Sequence, residues 1–135
     1  MTTINADGSP HVTGIGAVWV DGSFWFETGE RTRKGRNLAR DPRCVLSVAA
    51  HDFDLVVEGT ASKITDQQTV AAMAARWAAE GWPARVDETG QALTAEYSAP
   101  SAGPPPWHVF RITPRSATAV LTVDPGGATR WRFTR

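Results

Sequence analysis

Residues 6–28 read ADGSPHVTGIGAVWVDGSFWFET, and this stretch decides the fold class. The dipeptides Asp7-Gly8 and Asp21-Gly22 separate runs that are rich in β-branched and aromatic residues. Asp-Gly between such runs is a strong signal for a tight hairpin turn. The stretch therefore predicts three antiparallel strands, over residues 2–5, 10–20 and 23–27.

The sequence also predicts two helices. The first covers residues 31–40, with Thr32 as its N-cap and a stop before an Asp-Pro pair. The second begins with a capping box at Thr65 and ends at Gly81. Its apolar residues recur at helical spacing and predict a buried stripe of Val70, Met73, Ala74 and Trp77.

Further β-rich runs lie at residues 44–48, 55–61, 107–113, 116–123 and 128–134. Residues 82–106 are rich in Ala, Gly, Ser and Pro and predict a connector or lid, with one helical turn around 93–97. About eight short strands with two inserted helices favour a closed or nearly closed antiparallel barrel, with a two-sheet sandwich as the alternative. The predicted fold is thus mainly β, in a single domain over residues 1–135.

Composition excludes several classes of function. Fourteen Lys and Arg residues balance fourteen Asp and Glu residues, so we expect neither a general nucleic-acid binder nor attraction to an anionic membrane. No apolar run approaches the roughly 18 residues of a membrane span, and we expect a cytoplasmic protein. Cys44 is the only cysteine and the three histidines are scattered, so the sequence predicts neither a disulfide nor a metal site.

A dense cationic cluster lies at residues 31–37, which read RTRKGRN. A strand passes into a helix there, and the free N–H groups of a helix N-terminus favour an anion. Arg33 and Lys34 in the first turn add donors for the same anion. The alternative is a solvated basic helix face paired with nearby acidic residues. Gly35 inside the helix allows close approach of a ligand or of neighbouring backbone.

The strand before this cluster carries Gly14 and Gly16 in its middle. Glycines there indicate either a flat ring laid against the backbone or a bulge at a barrel corner. No acid, base or nucleophile forms a recognisable catalytic set, and Cys44 in an apolar strand is typical of an inert buried thiol. The catalytic residues are therefore unknown, and an enzyme built on this chain requires a cofactor to carry the reaction.

Five short blocks along residues 6–61 resemble the pyridoxamine 5′-phosphate oxidase-like FMN-binding split-barrel superfamily. They read ADGSPHVT at 6–13, FWFET at 24–28, TRKGRNL at 32–38, DPR at 41–43 and VEGTA at 57–61. More closely, the chain resembles the branch of deazaflavin (coenzyme F-420)-dependent oxidoreductases of actinobacteria. The resemblance implies a homodimer of antiparallel split β-barrels, with two flavin-type cofactors in grooves at the dimer interface.

The resemblance also implies which residues contact the cofactor. The segment along the tricyclic ring consists of Val12, Thr13, Gly14, Ile15, Gly16 and Ala17. The residues at the phosphate-bearing tail are Glu27, Thr28, Arg33, Lys34 and Asn37. Two further positions that approach the cofactor are Asp54 and Arg130.

The implied activity is that of an oxidoreductase that binds F-420 and transfers a hydride to a small unsaturated or quinone-like substrate. FMN is the alternative cofactor, because both present a flat ring and a phosphate. The cations Arg31, Arg36 and Arg40 suit the longer anionic tail of F-420.

The sequence also bears on two other activities. Residues 107–111 and 129–132 differ from the substrate-contact motifs of the true oxidases, so vitamin B6 oxidation is not expected. A rival hypothesis is a non-enzymatic barrel that binds haem, stores a flavin or stacks single-stranded nucleic acid. Neutral charge disfavours its nucleic-acid form.

Overall fold

The computed structural model describes residues 1–134 and contains ten β-strands, two α-helices and one 3-10 turn. The strands are β1 (Thr2–Ile4), β2 (Pro10–Val12), β3 (Ala17–Val20), β4 (Ser23–Thr28), β5 (Arg43–Ala49), β6 (Phe53–Ile64), β7 (Arg85–Val86), β8 (Leu93–Thr94), β9 (His108–Leu121) and β10 (Ala128–Arg132). The helices are α1 (Arg33–Arg40) and α2 (Gln67–Ala79), and the 3-10 turn spans Pro100–Ala102. Within the described residues, neither helix is long and apolar enough to cross a membrane.

The long strand β9 organises the sheet. Along one side it pairs with β6, and along the other it pairs first with β4 and then with β10. Eight strands thereby form one antiparallel sheet in the order β2-β1-β5-β6-β9-β4-β3, with β10 beside β9. The two-sheet sandwich is therefore wrong for these strands, and β7 with β8 forms a separate small ribbon.

Two apolar clusters join the sheet to the helices. Trp25 on β4 packs with the apolar stripe of α2, and Phe26 stacks on Phe110 with ring centroids 5.2 Å apart. Successive side chains of a strand point to opposite faces, so β4 buries both of its faces. The predicted helix stripe is confirmed, because the structure buries Val70, Met73, Ala74 and Trp77.

The helix starts are close to their predicted positions. The N-cap of α1 is Thr32, as predicted. The N-cap of α2 is Asp66, whose carboxylate accepts a hydrogen bond from the Thr69 backbone N–H at 2.8 Å. The prediction of Thr65 is thus wrong by one residue, since a carboxylate is a better N-cap acceptor than a threonine hydroxyl.

Two strand predictions and one helical-turn prediction need correction. The predicted strand over 10–20 is interrupted, because residues 13–16 form no ladder between β2 and β3, and glycines weaken a strand interior. The runs 107–113 and 116–123 form one strand, in which Pro114 faces Gly59 across a register shift, a position that tolerates a proline. The helical turn at 93–97 is wrong, since Leu93 pairs with both β7 and Trp107.

Candidate cofactor site

The N-terminus of α1 is held by a chain of hydroxyl groups. Thr32 accepts a hydrogen bond from the Gly35 backbone N–H at 3.0 Å and donates one to the Gly29 carbonyl at 2.8 Å. Thr28 is fully buried, and its hydroxyl lies 3.1 Å from that of Thr32. Because the Thr32 proton is directed to Gly29, Thr28 is the donor of this bond. Its side chain thus orients the N-cap from within the fold.

Close backbone packing explains Gly35. A Cβ atom at this position would lie 2.4 Å from the Gly29 carbonyl oxygen. Of the two explanations left open by the sequence, neighbouring backbone is therefore the correct one. The packing brings the end of β4 against the first turn of α1 and fixes the direction in which the cations of that turn emerge.

Three cations of the cluster face solvent. Arg31, Arg33 and Arg36 are exposed, and within residues 1–134 none of them forms an ion pair with an acidic side chain. Arg36 instead donates to the backbone carbonyl of Arg31 at 2.5 Å. For these three residues the structure shows the solvent exposure that the alternative predicts but, within residues 1–134, not the ion pairs with acidic residues.

Lys34 differs from its neighbours because it is buried, with 2% of its surface exposed. Its ammonium donates to the backbone carbonyl of Ser101. Burial lowers the pKa of Lys34, and the nearby Glu27 carboxylate partly opposes this shift. The predicted phosphate ligand is therefore in contact with a neutral acceptor from a distant part of the chain.

Ser101 belongs to residues 97–103, which cross the predicted site and which we call the strap. Besides the Lys34 contact, the strap accepts the Gly29 N–H at the Ala102 carbonyl, at 2.9 Å. The Ser98 hydroxyl donates to Glu27 Oε1 at 3.0 Å. The sequence marks this region only as a connector or lid, because its contacts depend on long-range packing.

Asn37 points into the protein. Its side-chain amide donates to Thr3 Oγ1 at 3.0 Å and to Asn5 Oδ1 at 3.1 Å, and the residue is 4% exposed. These bonds fasten α1 to β1. Within this chain Asn37 supports the helix that carries Arg33 and Lys34, and its contact with a cofactor phosphate stays a prediction.

The segment predicted to lie along the ring joins the edge strands β2 and β3. Val12 is 70% exposed, while Ile15 and Ala17 pack against the core. Gly14 and Gly16 have no atom within 4 Å of the position that a Cβ would take. Bare backbone therefore borders open space here, which suits the flat face of a ring.

Asp54 and Arg130 lie far from α1. Thr28, next to α1, pairs with His108 at the start of β9, whereas Asp54 pairs with Val120 near its end. The twelve intervening steps correspond to about 40 Å of extended strand. Arg130 pairs with Thr118 in the same distant half of β9. Along β9, these two residues therefore lie at the opposite end from the cationic cluster.

The arrangement around α1 fits a ligand that combines a flat ring with an anionic tail. Unpaired guanidinium groups and a helix N-terminus are suited to phosphate. The bare backbone of Gly14 and Gly16 is available to a ring on the neighbouring strand edge. Arg33 and Lys34 are the residues that would hold the phosphate, Lys34 after release from Ser101.

Comparison with known proteins finds sequence similarity to one family over most of the chain. The family model described as pyridoxamine 5′-phosphate oxidase matches residues 1–121. The pyridoxine/pyridoxamine 5′-phosphate oxidase of Acidothermus cellulolyticus is 31% identical over 134 residues, which cover 86% of this chain and 60% of that relative. The chain thus spans less than two thirds of the length of this curated relative.

Solved structures share the fold at low sequence identity. A pyridoxamine 5′-phosphate oxidase-related, FMN-binding protein of Nostoc punctiforme is 15% identical with a TM-score of 0.64, covering 99% of this chain and 86% of its own. An F420 reductase is 18% identical with a TM-score of 0.59, covering 86% of this chain and 84% of its own. These similarities confirm the mainly β, split-barrel fold with two inserted helices.

Proposed function

The chain belongs to the pyridoxamine 5′-phosphate oxidase family, and on that premise we propose that it is a cofactor-dependent oxidoreductase. In this proposal it binds coenzyme F-420 at a homodimer interface and transfers a hydride to a small unsaturated or quinone-like substrate. FMN is the alternative cofactor. The bound cofactor supplies the hydride chemistry, and the chain supplies binding, orientation and exclusion of water.

The unpaired cations at the start of α1 are the observation that carries this proposal. Arg31, Arg33 and Arg36 face solvent without a carboxylate partner in the described chain, although basic residues at a helix N-terminus oppose the helix dipole. A bound anion would pair with these cations and would also offset their unfavourable interaction with the helix dipole. Arg33 and Lys34 would hold the phosphate, and residues 12–17 would lie along the ring.

The number of cations favours F-420 over FMN. A single phosphate is satisfied by Arg33 and Lys34, which leaves Arg31 and Arg36 without a ligand group. The tail of F-420 continues beyond its phosphate with further carboxylates, and these two arginines are exposed beside the same helix start. The similarity to an F420 reductase concerns the fold alone and does not decide between the cofactors.

The dimer is part of the same proposal. An apolar groove with a volume of about 340 Å³ is lined by Trp19, Phe24, Leu55, Val57, Pro114, Ala117 and Phe133. Trp131 nearby on β10 is 44% exposed. Contiguous apolar surface of this kind marks an interaction site. In the proposed dimer, Asp54 and Arg130 of the second copy would approach the cofactor.

Titration with both cofactors tests the proposal. The purified full chain is titrated with F-420 and with FMN while its tryptophan fluorescence is recorded, and we expect at least tenfold tighter binding of F-420. Tighter binding of FMN would select the alternative. Arg33→Gln should weaken binding of the preferred cofactor, whereas the matched change Arg85→Gln, on the exposed β7 ribbon, should not. Tight oligonucleotide binding with no response to either cofactor would overturn the proposal.

A further inference from the structure

A cavity of about 320 Å³ lies between the start of β3 and the chain that follows α2. Gly16, Ala17 and Val18 line one side of it, and the aromatic residues Trp77, Trp82 and Tyr97 line the other. Glu27, from the neighbouring strand β4, also reaches it. We call it the aromatic cavity. No residue of the cationic cluster at 31–37 lines this cavity.

Glu27 brings an unsatisfied polar atom to this cavity. Its Oε1 accepts a hydrogen bond from Ser98 at 3.0 Å, whereas Oε2 is enclosed and has no hydrogen-bond partner. Burial raises the pKa of the Glu27 carboxyl, with the Ser98 bond and Lys34 opposing the shift. Buried polar atoms without partners are rare in folded proteins, because each costs free energy. A ligand with an N–H group directed at Oε2 would remove this cost.

The aromatic walls are held in place. The Trp82 indole N–H donates to the Tyr97 carbonyl at 2.6 Å. Its ring makes an edge contact with Trp77 at 5.9 Å between centroids and a tilted contact with Trp107 at 5.7 Å. A fixed indole face attracts cations and stacks on flat rings. The Trp82 ring is therefore suited to stack on a flat ligand in the cavity.

The charges around the cavity select against anions. Within residues 1–134, its lining includes the carboxylates of Glu27 and Glu80 and no lysine, arginine or histidine. Glu80 pairs with Arg76 at 3.2 Å, whereas Glu27 Oε2 has no partner. Lys34 acts on Glu27 electrostatically, but its ammonium is bound to Ser101. Glu27 Oε2 thus remains without a hydrogen-bond donor, and a positively charged or N–H-bearing group of a ligand would supply one.

We propose that the aromatic cavity binds a flat aromatic compound with a protonated nitrogen, such as an aromatic amidine or amine. Its ring lies against Trp82, and an N–H group donates to Glu27 Oε2. Binding of this class does not depend on a cofactor. The inference goes beyond the proposed function, although Gly16 and Ala17 belong both to the cavity and to the segment expected along the cofactor ring.

Benzamidine and benzoate form a matched pair of probes. Both are flat six-membered aromatic rings of similar size, but the first carries cationic N–H donors and the second a carboxylate. Isothermal titration of the full chain should show binding of benzamidine and none of benzoate. Glu27→Gln should weaken benzamidine binding at least tenfold, and Trp82→Leu at least fivefold. Glu58→Gln, the same change on β6 outside the cavity, should alter it less than twofold.

Amide chemical-shift mapping on the unmodified chain keeps the test independent of variant folding. Benzamidine should shift the signals of Glu27, Trp82 and Ser98 and leave those of β10 in place. Benzoate binding as tightly as benzamidine, unchanged affinity in Glu27→Gln, or shifts confined to another surface would each overturn the proposal. Repeating the titration with FMN or F-420 present separates the two proposals. Cofactor binding without benzamidine binding refutes the cavity alone, and the reverse result refutes only the proposed function.

Discussion

The buried ammonium of Lys34 donates a hydrogen bond to the backbone carbonyl of Ser101, 67 residues further along the chain. A carbonyl is a neutral acceptor, whereas a phosphate oxygen carries charge and forms a stronger bond with an ammonium. Burial lowers the pKa of Lys34, so a bound anion would also stabilise its charged form. In the proposed function, a phosphate bound by Lys34 would replace the Ser101 carbonyl as the acceptor of this ammonium.

Lys34→Met should weaken cofactor binding by about 1.5–3 kcal/mol, the range for a hydrogen bond to a charged group. Methionine keeps most of the buried apolar volume and removes the ammonium. Lys63→Met is the matched control, because its ammonium pairs with Glu30 at the surface. Fluorescence titration with F-420 and with FMN measures both. Equal affinity in Lys34→Met and the unmodified chain would mean that the phosphate binds elsewhere.

Two glycine-to-alanine changes should separate an effect on folding from an effect on cofactor binding. In Gly35→Ala the new methyl group would lie 2.4 Å from the Gly29 carbonyl oxygen, and overpacking of this kind costs about 1–3 kcal/mol of unfolding free energy. In Gly14→Ala the methyl group meets no atom within 4 Å, so stability should change by less than about 0.5 kcal/mol. The same methyl group would enter the space expected for the cofactor ring and weaken its binding.

Urea unfolding and cofactor titration of the two variants check this pair. Gly35→Ala should unfold at a lower urea concentration than the unmodified chain. Gly14→Ala should unfold at the same urea concentration as the unmodified chain. Full cofactor affinity in Gly14→Ala would contradict the placement of the ring along residues 12–17.

Local signals predict the turns and helix starts of this fold. Asp21 and Gly22 take φ values of 47° and 75° in the hairpin that their Asp-Gly dipeptide predicts. Thr32 caps α1, and the 3.6-residue period of α2 identifies the residues that it buries. Each of these features depends on residues within a few positions of one another, which is why the sequence alone determines them.

The strap and the aromatic cavity could not be predicted in this way. Ser101 meets Lys34, and Ser98 meets Glu27, across more than 60 residues of chain. The strap has neither helical nor strand periodicity, so no pattern indicates where it packs. The family resemblance marks Lys34 as a phosphate ligand, but it contains no information on what the ammonium contacts in this chain.

Cys44 should make stability depend on alkaline pH. Burial raises the pKa of its thiol from 9.0 to about 11. The folded protein therefore keeps the proton in a range where the unfolded chain loses it. The contribution of this thiol to the free energy of unfolding is fully present below pH 9 and is lost as the pH rises to about 11. The whole contribution is about 2–3 kcal/mol.

Guanidinium unfolding of the unmodified chain and of Cys44→Ala at pH 8 and pH 10.5 isolates this effect. The buried Met1 amino group and Lys34 have lowered pKa values and act in the opposite direction, but they are common to both proteins. The unmodified chain should therefore lose more stability between the two pH values than Cys44→Ala. Parallel losses would show that the thiol does not titrate differently on unfolding.

Trp131→Arg should convert a dimer into a monomer. Trp131 is 44% exposed on β10, and a tryptophan at the centre of an interface commonly contributes 2 kcal/mol or more to association. Sedimentation velocity at micromolar concentration should give a dimer for the unmodified chain. Tyr97→Arg, which places the same charge at another exposed aromatic residue, should remain dimeric. A monomeric unmodified chain would refute the shared cofactor groove.

Mixing two defective variants tests whether each cofactor site uses both subunits. Arg33 is the first residue of α1 and Arg130 lies on β10, towards opposite ends of β9, so in the proposed dimer they reach one site only from different copies. Arg33→Ala and Arg130→Ala should each bind cofactor weakly alone. After unfolding and refolding together, half of the dimers should be mixed, and each mixed dimer should carry one intact site, about a quarter of all sites. If both residues served a site within one copy, no mixture would restore tight binding.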